Sequence, residues 1–94
     1  MPRPDNRESI YRLVDLERGR QVANGWTANH DSRHTFEQWD WLLKEWLHRL
    51  RTAITPAGRY RYAIETIALL TAFLETSGPM PDVIARRLDR DAKV

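Results

Sequence analysis

Apolar residues recur at the spacing of an α-helix along most of the chain, and no stretch alternates as a β-strand does. The first helical stretch follows Asp5, a good N-cap residue, and stops at Asn24-Gly25. One face of this predicted helix is apolar in its first turns and becomes polar near its end, where Glu17 and Gln21 occupy it. A carboxylate on a buried face needs hydrogen-bond partners or a cation. We therefore expect such a partner for Glu17 close to the end of this helix.

Two longer helices follow, and each begins with a capping signal. Thr35 and Gln38 match a capping box, and the apolar stripe of 36–54 predicts the second helix. Thr55-Pro56 predicts the start of the third, which is apolar on two faces. Its main stripe is Tyr60, Ala63, Ile64, Ile67, Leu70, Thr71 and Leu74, and its narrower stripe is Tyr62, Leu69 and Phe73. Such a helix is expected to be packed between two neighbours, from its own chain or from a second copy.

A short fourth helix is predicted over 81–90. Its apolar residues, expected to face inward, are Val83, Ile84 and Leu88. Residues 1–4 and 91–94 are expected to be disordered. We therefore predict a single all-α domain over 1–94, an antiparallel bundle of three helices or of three plus a short fourth, because a chain of this length builds only one core.

Composition narrows the function classes. The chain has no cysteine, which excludes disulfides and thiolate metal sites. No apolar run approaches the length of a membrane span, and the N-terminus has no apolar signal region, so we expect a cytoplasmic protein with no membrane partner. Thirteen of its fifteen basic residues are Arg, whose guanidinium grips carboxylates and phosphates in two places at once. The net charge of +2 is nevertheless small for a nucleic-acid binder.

Basic residues concentrate around the predicted turn between the second and third helices. We name Arg49, Arg51, Arg59 and Arg61 the arginine tip. Arg49 and Arg51 lie at the end of the predicted second helix, where a positive charge complements the helix dipole. Arg59 and Arg61 lie near the positive start of the third helix, so the dipole does not account for them. With three aromatic residues expected to be exposed, Trp41, Tyr62 and Phe73, the tip forms a predicted binding surface that suits nucleic-acid backbone or an acidic partner.

The stretch between the first two helices is long for a helix–helix connection, and long ordered loops tend to be functional or tightly pinned. We expect Glu17 and Gln21 to lock this loop into one shape together with Trp26.

The same loop carries two histidines four residues apart, His30 and His34, with Asp31 beside the first. Two imidazoles and a carboxylate can surround a divalent transition metal. The chain has no HExxH helix and no tight ligand spacing, so we predict no metal and no cofactor. A divalent metal held by these three residues is the alternative.

The run ERGRQVANGWTANHDSRHT, residues 17–35, resembles a motif of small phage- and prophage-encoded proteins loosely associated with MazG-like nucleotide pyrophosphohydrolases. That motif is roughly E-R-x-R-Q, then G-W, then H-D-x-x-H-T. The resemblance extends to RYRYAIETIALLTAFLE in the third helix and covers about residues 11–76. The matching positions are Glu17, Arg18, Arg20, Gln21, Gly25, Trp26, His30, Asp31, His34 and Thr35. It implies an all-helical fold and a mobile-element origin.

This chain departs from the resembled proteins in three places. Ser32 stands where they usually carry a second acidic residue, and WDWLLKEW replaces a small, Ala-rich middle helix. The paired carboxylates of true MazG enzymes are also absent from the predicted second and third helices. The resemblance therefore does not imply hydrolysis by this chain.

These observations favour a binding protein over an enzyme. We expect a phage-derived helical protein that acts on a host protein or ribonucleoprotein complex, such as a host-defence complex, with nucleic-acid contact through the arginine tip as a further option. The alternative is a MazG-like, metal-dependent nucleotide pyrophosphohydrolase completed by homodimerisation. Its catalytic residues would be Glu17, His30, Asp31 and His34.

Overall fold

A computed structural model describes residues 6–26, 33–77 and 81–92 of the chain. These residues form four α-helices and no strand, which confirms the all-α prediction. The helices are α1 (Arg7–Ala23), α2 (Phe36–Thr52), α3 (Pro56–Thr76) and α4 (Asp82–Ala92). None of these four helices is long and apolar enough to cross a membrane. The antiparallel order of the bundle stays a prediction.

The helices begin where short polar side chains satisfy the first backbone N–H groups. The predicted capping box at α2 is confirmed, because Thr35 and Gln38 each accept a hydrogen bond from the other's backbone N–H, at 3.2 and 2.8 Å. Thr55 caps α3 as predicted. At α1 the cap is Asn6, whose side chain accepts from the N–H three residues later at 2.8 Å. The predicted cap, Asp5, lies outside the described residues.

Two helices end elsewhere than the apolar pattern suggests. The predicted second helix extends to Ile54, but α2 stops at Thr52 and the Ile54 side chain is 91% exposed. Residues 91 and 92 belong to α4, although we expected them to be disordered. The expected disorder of 1–4 and 93–94 concerns residues outside the described part of the chain.

The third helix lies at the centre of the packing. Helix α3 contacts α1 on one side and α2 on the other, whereas α4 packs closely against none of the described helices. The apolar core lies between α2 and α3. It consists of Trp39, Leu42, Leu69 and Ala72, with Trp26, Leu43, Trp46 and Phe73 partly buried around it.

The face of α3 that packs is not the one that its apolar pattern favours. In the predicted main stripe, Ile67, Leu70 and Leu74 are 39–66% exposed. The buried residues of α3 are Glu65, Thr66, Ala68, Leu69 and Ala72. Small side chains let neighbouring helices approach closely, so the alanines outcompete the larger residues for the central position. In α4, Val83, Ile84 and Leu88 are exposed and do not face inward as predicted.

Candidate functional site

Charged and polar side chains fill the contact between α1 and α3. Arg18 and Gln21 on α1 and Glu65 on α3 are only 7–8% exposed. Arg18 donates from Nη1 to Gln21 Oε1 at 2.8 Å and from Nη2 to Glu75 Oε2 at 3.1 Å. These charge-assisted hydrogen bonds join the end of α1 to the end of α3.

Four alternating charges lie about three turns further towards the start of α3, and we name them the charge cluster: Glu17, Arg20, Arg61 and Glu65. Arg20 donates from Nε to Glu17 Oε2 at 2.8 Å and also from Nη2 to Oε1. Its Nη2 lies 3.8 Å from Glu65 Oε1. The hydrogen bond to Glu17, helped by the negative charge of both carboxylates, raises the pKa of Arg20 above its usual range despite some desolvation.

Glu65 is the least satisfied member of the charge cluster. Arg61 Nε lies 3.3 Å from Glu65 Oε2 in an ion pair that is not a hydrogen bond. Within the described residues, buried Oε2 therefore has an ionic neighbour and no hydrogen bond. A buried carboxylate oxygen in this state is costly, and it commonly marks a place where a ligand or water binds.

Glu65 lies off the apolar main stripe of the predicted third helix, so the sequence pattern does not single it out. The structure buries it, since the packed face of α3 is the opposite one. A signal for this was present in the sequence. Glu65 precedes Ala68, Leu69 and Ala72 by three, four and seven residues, which places all four on one helix face.

Two hollows meet at the charge cluster. The smaller, about 170 Å³, opens towards Trp26 and Trp46, and the larger, about 370 Å³, runs between Leu16 on α1 and Ile64 on α3. Glu17, Arg20 and Glu65 line both hollows.

A hard divalent cation prefers carboxylate oxygens, so the Glu17 and Glu65 side chains could hold one after Arg20 moves aside. The Arg20 side chain is 56% exposed and can turn towards solvent. Two carboxylates make an incomplete metal shell, and the described residues contain no group of three His, Cys, Asp or Glu placed to hold a metal ion. The predicted ligands His30 and Asp31 lie outside the described residues.

The predicted loop lock stays a prediction, because residues 27–32 of the loop lie outside the described part of the chain. The Trp26 backbone N–H donates to Gln21 O at 2.9 Å, and Gly25 before it takes a left-handed conformation with φ +98°. This bond joins the backbone of Trp26 to the end of α1. The side chains of Glu17 and Gln21, however, bind arginines of their own helix.

His34 packs among aromatic rings. Its ring centre lies 5.0 Å from that of Trp39 and 6.3 Å from that of Trp26. Trp39 in turn lies 5.8 Å from Phe73. The ring contacts of His34 thus extend the apolar core towards the loop.

The predicted binding surface divides into an exposed and a packed part. Trp41 is 65% exposed on α2, and all four residues of the arginine tip are exposed. Tyr62 and Phe73 are partly buried, contrary to expectation. Phe73 lies against Trp39 and Phe36 because its stripe of α3 faces α2.

Ile54 is a surface residue, although the apolar pattern places it in the stripe of the predicted second helix. It lies in the α2–α3 turn beside a hollow of about 430 Å³ that Arg49 and Tyr62 also line. Arg59 donates from Nε to Ala53 O at 3.1 Å, which holds its side chain against this turn. Arg49 and Arg59 of the arginine tip therefore lie at the turn that carries this apolar side chain.

The arginines of the tip differ in how they are paired. The Arg49 guanidinium lies 4.4 Å from the Trp46 ring centre and 3.2 Å from Glu45 Oε1. Arg61 belongs to the charge cluster. Arg51 and Arg59 form no ion pair with any described residue, so two guanidinium charges are left for a partner.

Comparison with known proteins assigns the chain to no group. It matches no protein-family model, no curated protein and no solved structure.

Proposed function

We propose that this chain is a small helical binding protein whose arginine tip docks onto a macromolecular partner. The observation that carries the proposal is the exposure of Ile54, at 91%, in the turn that Arg49 and Arg59 flank. An exposed aliphatic side chain at an apex gains free energy when a partner covers it, and a polar rim around it excludes water. The antiparallel arrangement of α1, α2 and α3 is part of this proposal.

The partner we propose is a protein with an acidic rim around an apolar pocket. Two uncompensated arginines are few for binding a nucleic-acid backbone, where several phosphates are usually neutralised. Base stacking needs several exposed aromatic faces, but Arg49 covers the Trp46 ring and Tyr62 is partly buried, which leaves Tyr60, 41% exposed, beside the tip. Arginine around an apolar centre suits carboxylates around a hydrophobic pocket.

The biological setting follows from the resemblance of residues 17–35 to phage and prophage proteins. We propose a phage-derived protein that works in the host cytoplasm on a host complex, with a host-defence complex as one example. Exposed Trp41 extends the binding surface along α2, about 20 Å from Ile54 by the rise of a helix.

The test is site-specific photo-crosslinking in host cells, with the crosslinking amino acid at position 54 or, as a control, at exposed position 44. We expect a defined protein adduct from position 54 only. The purified partner should then bind the native chain, and Ile54→Glu should weaken that binding at least tenfold. Equal adducts from both positions would contradict the proposal. So would binding of RNA with a steep salt dependence and no protein adduct, which would indicate a nucleic-acid partner.

Metal-dependent nucleotide hydrolysis is the second candidate, and one observation favours it. Glu17 and Glu65 approach the same guanidinium from two helices, and Glu65 keeps a buried oxygen without a hydrogen bond. The test is thermal melting with Mg²⁺ or Mn²⁺ and nucleoside triphosphates. A bound ligand must raise the melting temperature, and Glu65→Gln should abolish that rise if the carboxylate holds the metal. No rise with any of these ligands would eliminate this candidate.

A further inference from the structure

Glu65 is a buried carboxylate that lies beside two exposed guanidinium groups. It is 8% exposed, and its Oε2 has no hydrogen bond among the described residues. The side chains of Arg20 and Arg61, which approach its two oxygens at 3.8 and 3.3 Å, are 56% and 73% exposed. An unsatisfied buried oxygen is typical of a place where a ligand or water binds, and here exposed side chains can move aside to admit one.

The described residues that line the smaller hollow carry a net negative charge. They include two carboxylates, those of Glu17 and Glu65, and one guanidinium, that of Arg20, so their charges sum to −1. A monovalent cation in this hollow neutralises the sum, whereas an anion is repelled by two carboxylates. The charge of the smaller hollow therefore favours a cationic ligand.

The size and the walls of the smaller hollow suit an organic cation. Trp26, Trp46 and Leu69 also line it, and such apolar walls suit the carbon body of an organic ligand. A hydrated metal ion needs more oxygen ligands than two carboxylates supply. The volume of about 170 Å³ is close to that of an engineered cavity, about 150 Å³, that holds one benzene molecule. A free molecule of about six to eight non-hydrogen atoms therefore fits.

The Arg20 guanidinium shows which kind of head group fits between the two carboxylates. Its Nε and Nη2 donate to the two oxygens of Glu17, and Nη2 lies 3.8 Å from Glu65 Oε1. A cation with several N–H donors is thus compatible with this position. Exposed ion pairs contribute little to stability, so a ligand with the same donors can displace the Arg20 side chain into solvent.

We infer that the smaller hollow binds a small organic cation whose N–H groups take the place of the Arg20 guanidinium between Glu17 and Glu65. An N–H of the ligand then satisfies the buried Glu65 carboxylate, and its carbon body lies against Trp26 and Trp46. Arg20 occupies the position in the unliganded chain and turns into solvent when the ligand binds. The inference does not rest on the proposed docking of the arginine tip, because the members of the tip do not line this hollow.

The first experiment is an NMR titration that follows the indole N–H signals of the tryptophans. The probes are butylammonium, butylguanidinium and butyltrimethylammonium, the last of which has the same charge but no N–H. We expect the first two to shift the signals of Trp26 and Trp46 but not that of exposed Trp41, and the third to bind about tenfold more weakly. Equal binding of all three would overturn recognition through the carboxylates. No shift with any probe would overturn the site itself and leave water as the partner of Glu65.

The second experiment uses two substitutions with opposite expected effects on butylammonium binding. Glu65→Gln should raise the Kd about tenfold, because the amide carries no charge. Arg20→Met should lower the Kd about two- to fivefold, because the ligand no longer competes with a cation of the chain itself. Arg12→Met is the matched control, an exposed arginine of α1 that does not line the hollow, and should leave the Kd unchanged. Weaker binding in Arg20→Met, or equally tight binding in Glu65→Gln, would overturn the inference.

Two further measurements separate this site from the functions proposed above. Ile54→Glu should weaken docking of the macromolecular partner and leave butylammonium binding unchanged, so each proposal can fail without the other. Mg²⁺ should not displace butylammonium at equal concentration. If Mg²⁺ instead shifts the Trp26 and Trp46 signals at lower concentration than butylammonium does, the site is a metal site and the inference of an organic cation is overturned.

Discussion

Helix α3 packs against its two neighbours with different chemistry on each side. Towards α2 the contact is made of aromatic and aliphatic side chains, with Trp39 only 3% and Leu69 only 2% exposed. Towards α1 the buried residues include Arg18, Gln21 and Glu65, joined by hydrogen bonds and ion pairs. One helix thus carries an apolar contact and a charged contact on adjoining faces.

The difference indicates a division of roles between the two contacts. Burial of apolar area is favourable in any orientation and supplies most of the folding free energy. Buried ion pairs contribute little net stability, because the cost of their desolvation offsets their attraction. They do fix the positions of the charged side chains relative to each other. We therefore assign stability mainly to the α2–α3 contact and the fixed placement of buried charges mainly to the α1–α3 contact.

The largest expected effect is on the apolar contact. Trp39→Ala removes a 97% buried indole that contacts His34 and Phe73, so it leaves a cavity at the centre of the core. We expect the free energy of unfolding to fall by about 3–5 kcal/mol, measured by urea denaturation. Trp41→Ala is the control on the same helix and should change it by less than about 0.5 kcal/mol. Similar losses in both variants would contradict the proposed core.

An intermediate effect is expected on the charged contact. Arg18→Met keeps the length of the side chain but removes the donors to Gln21 and Glu75. Leaving the buried Gln21 oxygen without its partner should lower the free energy of unfolding by about 1–3 kcal/mol. Exposed Arg12 on α1, changed to Met, is the control and should have almost no effect. If Arg18→Met cost as much as Trp39→Ala, the division of roles would be wrong.

A smaller effect is expected at the start of α2. Thr35→Ala removes the acceptor for the Gln38 N–H and half of the capping box. The expected loss is about 1 kcal/mol of unfolding free energy, measured by thermal or urea denaturation. Thr52→Ala is the control, because its hydroxyl donates to His48 O within the last turn and caps no helix start. Losses of equal size would show that the capping box contributes nothing particular to α2.

The sequence predicts the helices well because capping and periodicity are local signals. Thr35 with Gln38 and Thr55 with Pro56 start their helices where the pattern places them. Which face of α3 is buried is decided by neighbours that are distant in sequence. Ala68 and Ala72 admit another helix more closely than Leu70 or Ile67 would, and ranking by hydrophobicity overlooks that advantage.

In the candidate site, too, local signals are visible in the sequence and contacts between distant residues are not. Glu17 and Gln21 stand out in the sequence because they interrupt an apolar face, and both line the smaller hollow. Glu65 is missed because its contact with α1, through Arg20, joins residues more than forty positions apart in the chain. Arg18 is missed because a long side chain can reach a partner on another helix from a position that looks solvent-exposed.

The smallest expected change in the free energy of unfolding is that of Glu65→Leu. Its size distinguishes a structural role of this carboxylate from a ligand-binding role. Glu65→Leu removes a buried oxygen that has no hydrogen bond among the described residues and fills its place with apolar atoms. Arg20 and Arg61 lose an ionic neighbour, but their side chains are 56% and 73% exposed and regain water. The gain from removing the buried oxygen and the loss of the two ionic contacts nearly cancel. Urea denaturation should therefore show a free energy of unfolding that is unchanged or raised by up to about 1 kcal/mol.

The same substitution made at a structural carboxylate would behave differently. Glu75→Leu removes the acceptor of Arg18 Nη2 and leaves a nearly buried guanidinium with one partner fewer, so it should destabilise the chain more than Glu65→Leu. If Glu65→Leu instead lowers the free energy of unfolding by 3 kcal/mol or more, as breaking an essential buried pair does, Glu65 is a structural residue. A neutral or stabilising result means that folding does not require this carboxylate, and it directs the search for its role to a ligand of the charge cluster.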